Sequence, residues 1–199
     1  NIGFVIDRGY FSKANIQYMD EHKFNFVMMV KGCKPLVCEL IDEHRGTFES
    51  RRDCSIPRQH LNGTTIKHKL FPEDEKERYL HLFFSPVKMM KERYQLENEL
   101  EQMQRLFDSS RGKKIAPGEL QSKFFDFFYD KDDCLVLVKE KTDVVEKELE
   151  RCGYFTIVTS EKMTAQEAYQ LYFGRDGSEK LFRADKSFLG AKSTRVHSA

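Results

Sequence analysis

An apolar run at residues 2–6 (Ile-Gly-Phe-Val-Ile) that stops at Asp7 does most to limit what this chain can fold into. Such a run closed by an acid suits a short buried β-strand. Ser12 then stands where a helix N-cap belongs, ahead of a helix that passes through Ile16, Tyr18 and Met19 to about His22, and 24–30 is the next apolar strand. Strand, helix, strand in this order predicts a sheet covered by helices. Asp7 is then expected at the carboxyl end of a central strand, where open α/β sheets hold their chemistry.

After Gly32 the pattern changes. Segments 36–41, 66–71 and 78–84 read as strands between polar turns, and 86–107 as a charged helix with Met89, Leu96, Leu100, Met103 and Phe107 along one side. That stripe is expected to pack on its own domain, with a partner-binding coil as the other reading. An aromatic run at 124–129, a strand at 135–138 and a helix at 143–152 follow, with Asp130, Asp132 and Asp133 in a charged turn between them. A last strand at 155–158 leads to Thr164 and Glu167, a capping box that opens a helix directed towards Leu189. The expected organisation is therefore a core in two parts, 1–31 and 154–199, around a β-rich insertion at 32–153 that contains the long helix.

Composition narrows the function classes. The 199 residues are 40% hydrophobic with a formal net charge of +1, which suits a globular chain and gives no overall pull towards nucleic acid. Locally, Arg45, Arg51, Arg52, Arg58, Lys67 and Lys69 stand against Glu49 and Asp53 in residues 45–69, and Arg175, Lys180, Arg183, Lys186, Lys192 and Arg195 against Asp176, Glu179 and Asp185 in residues 175–195; such runs are more often solvated faces than DNA contacts. Cys33, Cys38, Cys54, Cys134 and Cys152 are odd in number and lack metal-binding spacing, so they read as reduced thiols. No apolar stretch reaches the ~18 residues of a membrane span, and no signal sequence opens the chain. A cytoplasmic location is expected. The chain opens on Asn1 inside a strand and stops at Ala199, which reads as cut at both ends.

Tyr172, Arg175, Glu179 and Lys186 are spaced by three, four and seven residues. At about 100° per residue they fall within an arc of roughly 60° on one helix face. Ala168, Leu171, Phe182 and Leu189 form an apolar stripe beside them. Taken alone, Arg175 and Glu179 are an i,i+4 ion pair on a solvated face, and Asp7 is a turn residue. Together they suit phosphodiester chemistry, which uses two divalent cations about 4 Å apart held by a few carboxylates. Asp7 and Glu179 are the right ligand type, Arg175 can grip a phosphate with two hydrogen bonds, Lys186 can meet it as a point charge, and the Tyr172 hydroxyl can donate to it. A phosphatase-like role for Asp7 as nucleophile would call for a second acid two residues on, where Gly9 stands.

Asp7-Arg8-Gly9-Tyr10 after an apolar strand, with Tyr172-x2-Arg175-x3-Glu179-x6-Lys186 on a later helix, resembles the transposases of the bacterial insertion sequence four family. The resemblance covers roughly residues 1–31 and 154–190. It implies an α/β fold of ribonuclease H-like type, a mixed sheet with helices interrupted by a β-rich insertion. It also implies a three-carboxylate site in which Asp7 and Glu179 ligate Mg²⁺ or Mn²⁺ in a two-metal arrangement, while Tyr172, Arg175 and Lys186 handle phosphates of the transposon end. The family's first aspartate would lie upstream of Asn1, so this segment alone is expected to be inactive. The implied partners are transposon-end and target DNA, bound by a homodimer in the bacterial cytoplasm at the nucleoid; no membrane is involved. The alternative is a DNA-binding remnant of a decayed transposase that has lost its chemistry.

Overall fold

The computed structural model describes residues 3–31 and 35–174. It is an α/β chain whose first unit is built on a six-stranded mixed sheet. Strand β1 (Gly3–Ile6) leads through α1 (Lys13–Glu21) to β2 (Asn25–Met29), and the two strands pair in parallel with Phe4 opposite Phe26 and Val5 opposite Val27. The start of α1 is fixed as its sequence predicts: the Ser12 hydroxyl accepts the Asn15 amide at 3.2 Å. Ile16 and Met19, one turn apart, face inwards.

The next element departs from expectation. Residues 36–41 form part of a helix, α2 (Pro35–His44), in which Val37, Leu40 and Ile41 are buried. A short apolar run fits a strand or a buried helix equally well, and the i, i+3, i+4 spacing of those three decides for the helix. Strands β3 (Ser55–Ile56), β4 (Leu61–Lys69), β5 (Glu77–Phe84) and β8 (Tyr154–Thr159) complete the sheet in the order β1-β2-β8-β5-β4-β3. β8 runs antiparallel to β2 and β3 antiparallel to β4. After β8, residues 165–174 are helical and are labelled α6. The Thr164–Glu167 capping box opens it in both directions: the Glu167 amide donates to the Thr164 hydroxyl at 3.2 Å, and the Thr164 amide donates to the Glu167 carboxylate at 2.7 Å.

One face of the sheet packs on α6. Val27, Ile56, Leu61, Phe83 and Ile157 close on Ala165, Ala168 and Tyr172, with Phe155, Tyr169 and Phe173 around them. Phe83 stacks on Phe155 with ring centroids 4.9 Å apart. Gly63 lets this layer close, because a Cβ there would lie 2.7 Å from the Phe83 ring.

The second unit is Phe84–Tyr154. It contains α3 (Pro86–Ser109), α4 (Glu119–Phe124), the antiparallel hairpin β6 (Phe125–Tyr129) and β7 (Leu135–Glu140), and α5 (Thr142–Glu150). Leu100, Phe107, Phe124, Phe125, Leu135, Val138 and Val145 form its core. The interrupting unit is thus shorter than the expected 32–153 and mostly helical. β3, β4 and β5, expected within the insertion, are strands of the main sheet instead.

Candidate metal and nucleic acid site

Asp7 follows the last residue of β1 and caps the 3-10 turn Arg8–Tyr10. One carboxylate oxygen accepts the Gly9 amide at 2.9 Å, which sets the orientation of the group. Buried Phe11 anchors the far side of the turn, and the Asn15 side chain donates to the Tyr10 carbonyl at 2.7 Å. Asp7, Arg8 and Tyr10 are exposed at the carboxyl end of the strand. The arrangement holds an acidic oxygen pair, a guanidinium and an aromatic ring on one short, pinned loop.

Tyr172 lies elsewhere than the sequence placed it. It is 4% exposed and belongs to the core, in line with Ala165 and Ala168, while Leu171 of the expected apolar stripe is 49% exposed. The buried face of α6 is therefore turned by about one residue from the expected one. A ring so placed ties α6 to the sheet, and any phosphate contact is left to its hydroxyl. Gly174 is helical and exposed with open space at its Cβ position, so it costs only helix propensity. Arg175, Gly177, Glu179 and Lys186, and with them the second basic stretch, lie outside the described residues.

Among the described residues no three His, Cys, Asp or Glu side chains gather closely enough to hold a metal ion. Mg²⁺ asks for one or two carboxylates and fills its other positions with water or phosphate. Asp7 supplies one such group, and the described residues do not build a metal site without a further ligand. In comparisons with family models, curated proteins and solved structures, nothing matches the chain.

The first basic stretch is partly neutralised. The Arg51 guanidinium bonds Asp53, with Nε–Oδ1 at 3.0 Å, and this holds the Asp53 carboxyl below its usual range. Lys67 pairs with Glu77 at 3.2 Å. Asp53, Thr64, Thr65, Lys67, Lys162 and Thr164 are among the residues that line a cavity of about 470 Å³, which presents hydroxyls, two ammonium groups and one carboxylate. Cys38, Cys54, Cys134 and Cys152 form no disulfide among the described residues, and burial pushes the thiols of Cys54 and Cys152 up, away from thiolate chemistry.

His81 was missed in the sequence, though an imidazole inside the apolar strand Tyr79-Leu80-His81-Leu82-Phe83 is a signal in itself. It is fully buried and bridges its neighbours, with Nδ1 2.9 Å from the Thr65 hydroxyl and Nε2 3.0 Å from the Thr159 hydroxyl. Thr159 donates to the Glu161 carbonyl at 2.7 Å, so it must accept from Nε2–H. That fixes the neutral tautomer, with Nδ1 accepting from Thr65. Burial lowers the imidazole to about 4. Among the described residues no helix is long and apolar enough to cross a membrane.

Proposed function

We propose that the chain is part of the catalytic domain of a DNA transposase with a ribonuclease H-like core, acting by metal-dependent phosphodiester hydrolysis and strand transfer. The observation that carries the reading is Asp7 on its pinned loop at the carboxyl end of β1, within a parallel β1-α1-β2 unit. Asp7 and Glu179 are the ligands of Mg²⁺ or Mn²⁺, and Arg175 and Lys186 bind end phosphates, with the Tyr172 hydroxyl as a further donor. The metal supplies activation of the attacking oxygen and stabilisation of the leaving one. Lys162 and the threonine hydroxyls of the cavity beside β4 are further donors for a phosphate backbone. The functional form is a dimer on paired DNA ends.

The test is Mg²⁺-dependent nicking of the element's terminal DNA by protein made from the complete reading frame, beside its Asp7→Asn and Glu179→Gln variants. Cleavage that either change abolishes while DNA binding survives supports the reading. Binding without cleavage by the unmodified protein identifies a DNA-binding remnant, and neither binding nor cleavage refutes both.

A further inference from the structure

The unit Phe84–Tyr154 carries two apolar surfaces of opposite charge. On the first turns of α3, Val87, Met90 and Tyr94 stand at i, i+3 and i+7 and are each about 70% exposed. This stripe lies roughly 120° around the helix from buried Leu100 and Phe107, so it is no part of the unit's own core. Lys91 sits between Val87 and Tyr94 on the helix surface and Arg93 beside Met90; Lys88 pairs with Glu92 and Arg93 with Glu97 at 4.0 Å, so Lys91 carries most of the positive charge at the stripe.

The second surface is the outer face of the β6–β7 hairpin. Phe128 pairs across the strands with Leu137, and these two are 48% and 47% exposed beside Val136 at 54%, while Tyr129 pairs with buried Leu135 on the other face. The turn beyond them holds Asp130, Asp132 and Asp133 against Lys131. Asp130 accepts the amides of Asp132 and Cys134, each at 2.9 Å, which fixes the turn. An apolar patch with an acidic tip thus matches an apolar stripe with a basic rim.

The two surfaces cannot meet within one molecule. Phe107, near the carboxyl end of α3, rests on Phe125 and Phe127 of the hairpin, with centroids 5.2 and 4.9 Å away. Thirteen to twenty residues of helix, roughly 20–30 Å at 1.5 Å per residue, separate that contact from Tyr94 and Val87. We propose that a second copy of this chain occupies both surfaces, with its hairpin tip on the Val87-Met90-Tyr94 stripe and its stripe under the first copy's tip. A two-fold axis with the α3 helices antiparallel makes the contact reciprocal and closed, which doubles the apolar area buried. The inference stands on residues 84–154 alone, and its test contains no DNA, so it fails or succeeds apart from the transposase reading.

Sedimentation velocity of the whole chain over a concentration series decides it. Wild type is expected to pass from monomer to dimer, and Met90→Glu or Leu137→Glu to raise the dissociation constant by about tenfold or more, since each buries a charge against apolar surface. Lys91→Glu and Asp132→Lys should each weaken the dimer, and the double exchange should restore it, because like charges across an interface repel. All four positions are exposed, and unchanged circular dichroism checks the fold of each variant. A chain that stays monomeric overturns the proposal, as does a dimer indifferent to Met90→Glu and Leu137→Glu, or one that the double exchange fails to restore.

Discussion

His81 gives a prediction with a sign and a size. In the unfolded chain an imidazole titrates near 6.5, whereas in the folded protein burial lowers His81 to about 4. Between these values the unfolded state binds the extra proton, so stability rises with pH across that window and falls as the solution is acidified. Above the upper value both states are neutral and His81 adds no pH dependence. At 1.36 kcal/mol per unit, acidification from neutrality should remove about 2 kcal/mol by pH 5 and about 3 kcal/mol by pH 4. His81→Gln keeps a neutral donor and acceptor between Thr65 and Thr159 but cannot take up the proton. The assay is urea unfolding followed by far-ultraviolet circular dichroism, because the chain has no tryptophan. The difference between wild type and variant matters, since it cancels carboxylates that titrate in both. With a urea dependence of about 2 kcal/mol per molar, the midpoint gap between the two proteins should move by roughly 1 M between pH 7 and pH 5. A gap that stays constant across that range would refute the claim that His81 is buried neutral.

Three further outcomes test the packing. Gly63→Ala forces a methyl to within 2.7 Å of the Phe83 ring and should cost about 1–3 kcal/mol, seen as a lower thermal midpoint; an unchanged midpoint would mean the α6 layer is looser than described. Tyr172→Ala should cost about 3–5 kcal/mol by opening the core under α6, while Tyr172→Phe keeps the ring; equal loss in both would show that the hydroxyl, not the ring, holds the helix. Thr164→Val removes the hydroxyl that accepts the Glu167 amide and should lower stability by about 1 kcal/mol in chemical denaturation, whereas no change would show that the α6 cap is dispensable.

The parts of the fold that rest on local chemistry were legible in the sequence. Ser12 and the Thr164–Glu167 pair mark helix starts through bonds made within three residues, and the apolar runs at 2–6, 24–30 and 78–84 became β1, β2 and β5, although β1 is largely exposed where a buried strand was expected. What failed depended on tertiary burial. Leu36 to Ile41 holds enough apolar residues for either element, and only packing of Val37, Leu40 and Ile41 selects the helix. The misreading moved the boundary of the insertion, because without a helix there β4 and β5 had no evident link to β1 and β2. At the site, Asp7 could be placed after a strand, but that strand, β1, stands at the edge of the described sheet and not at its centre as expected. The inward face of α6 could not: small Ala165 and Ala168 and the amphipathic Tyr172 are buried, while the more apolar Leu171 is half exposed. His81 stood in plain view as a polar residue in an apolar strand, but its two threonine partners come from β4 and β8, 16 and 78 residues away.

Phe84 and Tyr154, which bound the inserted unit, lie ring to ring at 4.9 Å, and the Ser85 amide donates to the Gly153 carbonyl at 3.0 Å. The chain therefore leaves the sheet after β5 and returns to it as β8 through a single narrow doorway. A flexible excursion of that length would tax the pairing of its two ends with the entropy of closing a long loop, which grows with the logarithm of its length. Once the unit has packed its own core, its ends are already side by side and the sheet closes across a gap no wider than a tight turn. A unit that packs its own core in this way lowers the entropy lost when β5 and β8 pair. The same doorway makes this the place where evolution could swap one guest for another, or remove it altogether, with the least disturbance to β5 and β8.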